Sequence, residues 1–101
     1  MILRIIKSYR YLVTICDSEL IGKKFEDGNF QLDIKENFYR GSDGQIIDDK
    51  QVIKIMKDMS REDATFNIVG KKSIDAALKS GVISKEGVKE IQGIPFALIL
   101  M

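Results

Sequence analysis

Apolar and polar positions alternate along the first sixteen residues. Ile2, Arg4 and Ile6 fall on one side of the chain, Leu3, Ile5 and Lys7 on the other. Tyr11, Val13 and Ile15 then alternate with Leu12, Thr14 and Cys16. A period of two, rich in β-branched and aromatic residues, predicts two strands joined by a hairpin at Ser8-Tyr9-Arg10. Asp17 to Gly22 reads as a capped single helical turn stopped by glycine, with Lys23 and Lys24 just past the stop. Phe25 to Asn29 carries an Asp-Gly turn marker. Phe30, Leu32 and Ile34 then alternate with Gln31, Asp33 and Lys35 as a half-buried strand.

The period changes after a Gly-rich loop at Phe38 to Gly44. Asp48 or Asp49 caps the strongest helix, whose stripe is Val52, Ile53, Met56 and Met59. Ala64 to Val69 is a short extended run. Gly70-Lys71-Lys72-Ser73 opens a helix carrying Ile74, Ala77 and Leu78 and ending at Gly81. Ser84 caps a predicted short helix with Val88 and Ile91 on one face, broken by Gly93-Ile94-Pro95. Phe96 to Met101 is continuously apolar. It reads as a returning strand beside the N-terminal one, covered on both faces or at a subunit contact. Strands come early, helices late, and one strand returns. The expectation is one α+β domain over residues 1–101, a largely antiparallel sheet with two or three helices on one side.

Composition narrows the chemistry. Sixteen basic residues face fifteen acidic ones, a net charge of +1, which excludes a strongly basic nucleic-acid cloak. No His is present, so His bases, His metal ligands and a His switch are excluded. The single Cys16 permits no internal disulfide and no Cys-based zinc site. No cofactor or metal is expected, and no recognisable catalytic constellation is present, so the reading leans away from an enzyme. No apolar stretch nears the ~20 residues of a membrane span. With no signal-peptide pattern and a free thiol, the expected compartment is the cytoplasm.

Candidate chemistry gathers at a few places. The Gly70-Lys71-Lys72-Ser73 helix start offers free N–H groups and a partial positive charge for an anion. It is not a P-loop, since Thr65 stands where that motif needs glycine. Lys23 and Lys24 form a second basic spot. Arg4, Lys7 and Arg10 form a third, with Tyr9 and Tyr11 flanking Arg10 as in stacking surfaces for single-stranded RNA. The plainer reading of that hairpin is an edge guarded by charge. Asn67, among apolar residues, either bonds lone backbone groups or faces a ligand. Asp17 and Glu19 more simply cap a turn than act as acid and base, and Cys16 reads as a buried structural thiol.

Four pieces then fall in order: Cys16-Asp17-Ser18-Glu19-Leu20-Ile21-Gly22-Lys23, Phe38-Tyr39-Arg40-Gly41, Asn67-Ile68-Val69-Gly70-Lys71 and Gly93-Ile94-Pro95-Phe96-Ala97. Together they resemble a family of small archaeal proteins labelled domain of unknown function 424, across nearly the whole chain. Members often carry a polar residue directly after the Pro-x-Ala element, where this chain has Leu98. The resemblance implies an archaeal, cytoplasmic protein in a family without an established enzyme activity, and it supplies no catalytic residues. A translation-related context would suit such a protein by association.

The leading expectation is a non-catalytic binding module for RNA or a ribosomal particle. It would use Lys71 and Lys72, with Lys23, Lys24 and Arg10 assisting. One alternative is a protein-interaction module, a homodimer or adaptor, using the apolar C-terminal strand. Another is a binder of a small phosphorylated ligand at Gly70 to Ser73.

Overall fold

The alternating segments do become strands. In a computed structural model, described over residues 1–100, β1 (Ile2–Lys7) and β2 (Tyr11–Cys16) form the expected antiparallel hairpin. The Ser8 N–H donates to the Arg10 carbonyl across its turn (3.1 Å). A short 3-10 turn at Ser18–Leu20 follows, then a separate two-stranded hairpin of β3 (Lys24–Asp27) and β4 (Phe30–Asp33). After α1 (Glu36–Tyr39) and the two-residue β5 (Gln45–Ile46) come α2 (Asp49–Ser60), β6 (Thr65–Val69) and α3 (Lys71–Ser80). A 3-10 turn at Lys85–Gly87, β7 (Lys89–Ile91) and β8 (Ile94–Ile99) complete the chain.

The main sheet has six strands in the order β5-β1-β2-β6-β8-β7. All its neighbours are antiparallel except β2 and β6, which run parallel in register Leu12–Thr65 to Cys16–Val69. Antiparallel strands can be joined by a tight turn, whereas a parallel pair needs a long crossover, and α2 is part of it. The fold is therefore α+β with a mixed sheet.

Two apolar layers hold it. Val13, Ile15, Phe66, Ile68 and Ala97 pack one sheet face against Val52 and Met56 of α2 and Ile74 and Ala77 of α3. On the other face, Cys16 and Val69 pack with Leu20, Ile34 and Tyr39. The N-terminal end of β6, the C-terminal end of β8 and the hairpin end of β1 and β2 extend beyond this second cover.

Several expectations are corrected. β8 lies between β6 and β7, not beside β1, because the crossover places β6 next to β2 and the chain returns past α3. The predicted helix after Ser84 is a 3-10 turn followed by β7. Gln92 and Gly93 both take positive φ (50° and 79°), the conformation of a tight hairpin turn, and this pairs Ile91 with Ile94. β3 was read as turn, and the brief α1 and β5 lie in or beside the segment read as loop. α1 also sits on the face opposite α2 and α3, so not every helix shares one side.

The α2 start matches the sequence closely. Asp48 accepts from the Gln51 N–H (2.8 Å) while the Gln51 side chain accepts from the Asp48 N–H (2.9 Å). Removing this reciprocal cap with Asp48→Ala should cost about 1 kcal/mol, read as a lowered midpoint in urea unfolding at constant slope.

Candidate functional site

α3 begins where β6 ends, and its first N–H groups have no partner within the helix. Those of Lys72 and Ser73 are already engaged. Both oxygens of Asp17, 3 % exposed, turn into the helix start. Oδ2 accepts from the Lys72 N–H (3.1 Å), and Oδ1 accepts from the Ser73 N–H (2.8 Å) and the Ser73 hydroxyl (2.7 Å). The Asp17 N–H donates to the Val69 carbonyl (3.0 Å), so the same residue extends the β2–β6 pairing. Its side chain therefore caps α3 and makes no capping bond to its own 3-10 turn.

Gly70 makes room for this. Its φ of 109° and ψ of 155° belong to a region open in practice to glycine alone, and a methyl group there would overlap the Asp17 carboxyl. Gly70 and Ser73 are buried, and Lys71 and Lys72 project from the same turn. The electrostatic site expected for an external anion is filled by an internal one.

The basic residues do not all converge. Lys23 and Lys24 follow the 3-10 turn after Asp17, at the same end of the sheet as Lys71 and Lys72. Arg10 sits at the tip of the β1–β2 hairpin, the far end of β2 and roughly 20 Å away at the rise of a six-residue strand. Arg4 is structural: its guanidinium donates to Asp43 Oδ1 (2.7 Å) and to the Asn37 (3.1 Å) and Phe38 (3.0 Å) carbonyls at the end of α1. That contact holds the Asp43 carboxyl below its ordinary range. Lys7 lies 5.2 Å from the centre of the Tyr11 ring. A 280 Å³ pocket between the starts of α2 and α3 mixes Asp49 and Asp75 with Lys72 and Lys79, a balanced lining that selects no charge.

Asn67 faces the second core. The Tyr39 hydroxyl donates to its Oδ1 (3.0 Å). Cys16 is fully buried, and burial, then the nearby charges of Asp17 and Glu19, push its thiol up from 9.0 to about 12. Burial likewise raises the Tyr39 phenol from 10.0 to about 12. Neither is poised as a nucleophile near neutral pH. Thr14, opposite both Arg4 and Asn67, is fully buried with a hydroxyl lacking a partner. Among the described residues, no cluster of three or more acids or cysteines is placed to hold a metal ion, and no helix is long and apolar enough to cross a membrane.

The other exposed feature is apolar. Leu98 on β8 is 57 % exposed and Leu100 is 74 % exposed, in the segment expected to be covered on both faces or to lie at a subunit contact. Leu98 lies across from Asn67 and on its face, and half-buried Ile6 and Leu12 pair on the same face. The strand assignment was visible in the sequence; the missing cover was not, because it depends on where α1 and β3–β4 stop.

A family model described as a protein of unknown function, DUF424, matches residues 7–101. No curated protein matches the chain. Among solved structures, an uncharacterized conserved protein from Methanopyrus kandleri is similar, with a TM-score of 0.78 at 20 % identity over 97 % of this chain and 88 % of that one. At that identity the likeness concerns the fold.

Two measurements probe this region. Gly70→Ala should cost about 3 kcal/mol or more, combining a disallowed backbone with displacement of Asp17, while Gly81→Ala, where the added methyl meets open space, should cost about 1 kcal/mol. Urea unfolding of both variants compares them. The raised Cys16 and Tyr39 groups lose protons more readily in the unfolded chain. Stability present below pH 9.0 should therefore fall as pH rises toward about 12. The double variant Cys16→Ala, Tyr39→Phe should flatten that decline in unfolding free energy against pH.

Proposed function

The chain belongs to the DUF424 family, whose description assigns no function, and from that premise we propose a non-catalytic protein-interaction module that pairs with a second copy along β8. The observation that carries this reading is the exposed apolar end of β8, Leu98 and Leu100, past its last strand pair. The Gly70 N–H donates to the Pro95 carbonyl (2.9 Å), so the backbone groups of Pro95, Ala97 and Ile99 face β6. Alternation turns those of Phe96 and Leu98 the other way. Phe96 meets Lys89 of β7, the last paired residue on that side. Beyond it the neighbouring chain turns into the Lys85–Gly87 3-10 helix beside Ile99, and Leu98 is left without a strand partner.

An unpaired edge bearing exposed leucines templates further pairing. A second copy suits it because antiparallel pairing about a two-fold axis at Leu98 is self-complementary. The net charge of +1 opposes such contact little. Half-buried Ile6 and Leu12 extend the apolar surface across the same face.

The RNA reading has less support. Its basic residues divide between opposite ends of the sheet, with Lys23, Lys24, Lys71 and Lys72 at one and Arg10 at the other. A small phosphorylated ligand at Gly70 to Ser73 would have to displace Asp17 from the helix start.

Sedimentation velocity over a concentration series tests the proposal. The expected result is a monomer–dimer equilibrium that Leu98→Lys shifts to monomer, with the unfolding midpoint little changed because the side chain is exposed. A strictly monomeric parent, or a dimer that survives Leu98→Lys, would overturn it.

A further inference from the structure

The opposite side of the sheet carries a second opening with a different lining. β5 pairs with β1 only at Ile2 and Leu3. The Ile47 N–H donates to the Met1 carbonyl (3.0 Å), so Met1 turns its carbonyl toward this outer edge. By alternation Leu3, Ile5 and Lys7 do the same with their N–H and C=O groups. Leu3 meets β5, whereas Ile5 and Lys7 meet no strand there. Among the described residues, the chain before β5 makes no backbone hydrogen bond to them. Its Gly44 N–H is tied to the Arg40 carbonyl (2.8 Å), and Asp43 is held by Arg4.

Beside this bare edge lies a 270 Å³ pocket lined by Leu3, Ile5, Asp43, Gln45 and Ile55. It opens on the face that packs α2, the face to which Ile5 and Lys7 belong. Leu3, Ile5 and Ile55 give it an apolar wall. The Asp43 carboxylate is balanced by Arg4 at 2.7 Å, so the pocket itself presents little net charge. Lys7 is exposed and makes no ion pair among the described residues.

We propose that the outer edge of β1 docks an extended acidic–apolar segment of a partner protein. The segment adds a strand antiparallel to β1, in line with β5. Backbone bonds to Ile5 and Lys7 hold it. Residues directly opposite one another share a face, so an aliphatic side chain opposite Ile5 enters the pocket beside Ile55. Two residues earlier in the segment, a carboxylate meets Lys7. A strand's alternating donors and acceptors are what this edge can satisfy. This inference does not use β8 and stands apart from the dimer.

The test uses the full chain with Leu98→Lys, labelled with ¹⁵N, so that self-association plays no part. The probe is the peptide Thr-Glu-Thr-Val-Thr, acetylated and amidated, titrated into the millimolar range. Expected are amide shifts centred on Ile5 and Lys7, with slowed hydrogen exchange at those two amides. Replacing Glu by Lys in the peptide should weaken binding roughly fivefold, the scale of an exposed charge pair and its reversal. Ile5→Pro removes an outward N–H that no ladder bond uses, so it should fold and lose binding. Ile55→Glu, which puts a charge in the pocket, should also lose binding and serves if the proline variant fails to fold. Shifts at neither amide, equal binding of the Glu and Lys peptides, or undiminished binding by a folded variant would each overturn the proposal. So would tighter binding of a short oligonucleotide at the same amides.

Discussion

One buried carboxylate joins most of this structure. Asp17 extends the parallel β2–β6 pairing through its backbone and closes the start of α3 through its side chain. A charge taken out of water needs partners, and here two backbone N–H groups and a serine hydroxyl supply them. The arrangement is reciprocal, since a buried helix start left open would strand its own donors. Gly70 gives the carboxyl its space, and Cys16 beside it contributes apolar packing to the second core. The turn from strand to helix is thus fixed by one residue more than fifty positions away in sequence.

That arrangement changes the meaning of the most suggestive motif in the chain. A glycine and two lysines at a helix start have the composition of an anion site, and the structure does place an anion there. It comes from the protein itself. The lysines remain on the surface while the backbone that would grip a phosphate is committed. The backbone groups without a strand partner lie instead at the sheet's incomplete edges, at Leu98 on one side and at Ile5 and Lys7 on the other.

Periodicity made the local elements legible. Alternation found β1, β2 and β4, the Asp48 cap and the Val52–Met56 stripe located α2, and Gly81 ended α3 in its left-handed conformation. Partnerships were less visible. Asp17 reads as the cap of the turn that follows it, because sequence proximity hides Ser73. β7 was obscured by Ser84 and by Val88 and Ile91 at helical spacing, although the Gln92-Gly93 turn decides for a hairpin. The continuous apolar run of β8 left burial on both faces and a subunit contact both open, because its exposure depends on neighbours that end early. Tyr39 and Asn67 became one hydrogen-bonded pair only through the tertiary fold.

The parallel pairing of β2 with β6 also governs how the chain must assemble. Leu12 meets Thr65 in the middle of the sheet, while the β1–β2, β3–β4 and β7–β8 hairpins close over short stretches of chain. The entropy lost on closing a long loop comes before the contacts that reward it. Hairpins can therefore form early, but the central seam is a late, non-local event. Until it forms, β2 presents a second bare edge of Tyr11, Val13 and Ile15, and the same strand chemistry that builds the sheet exposes the nascent chain to mispairing.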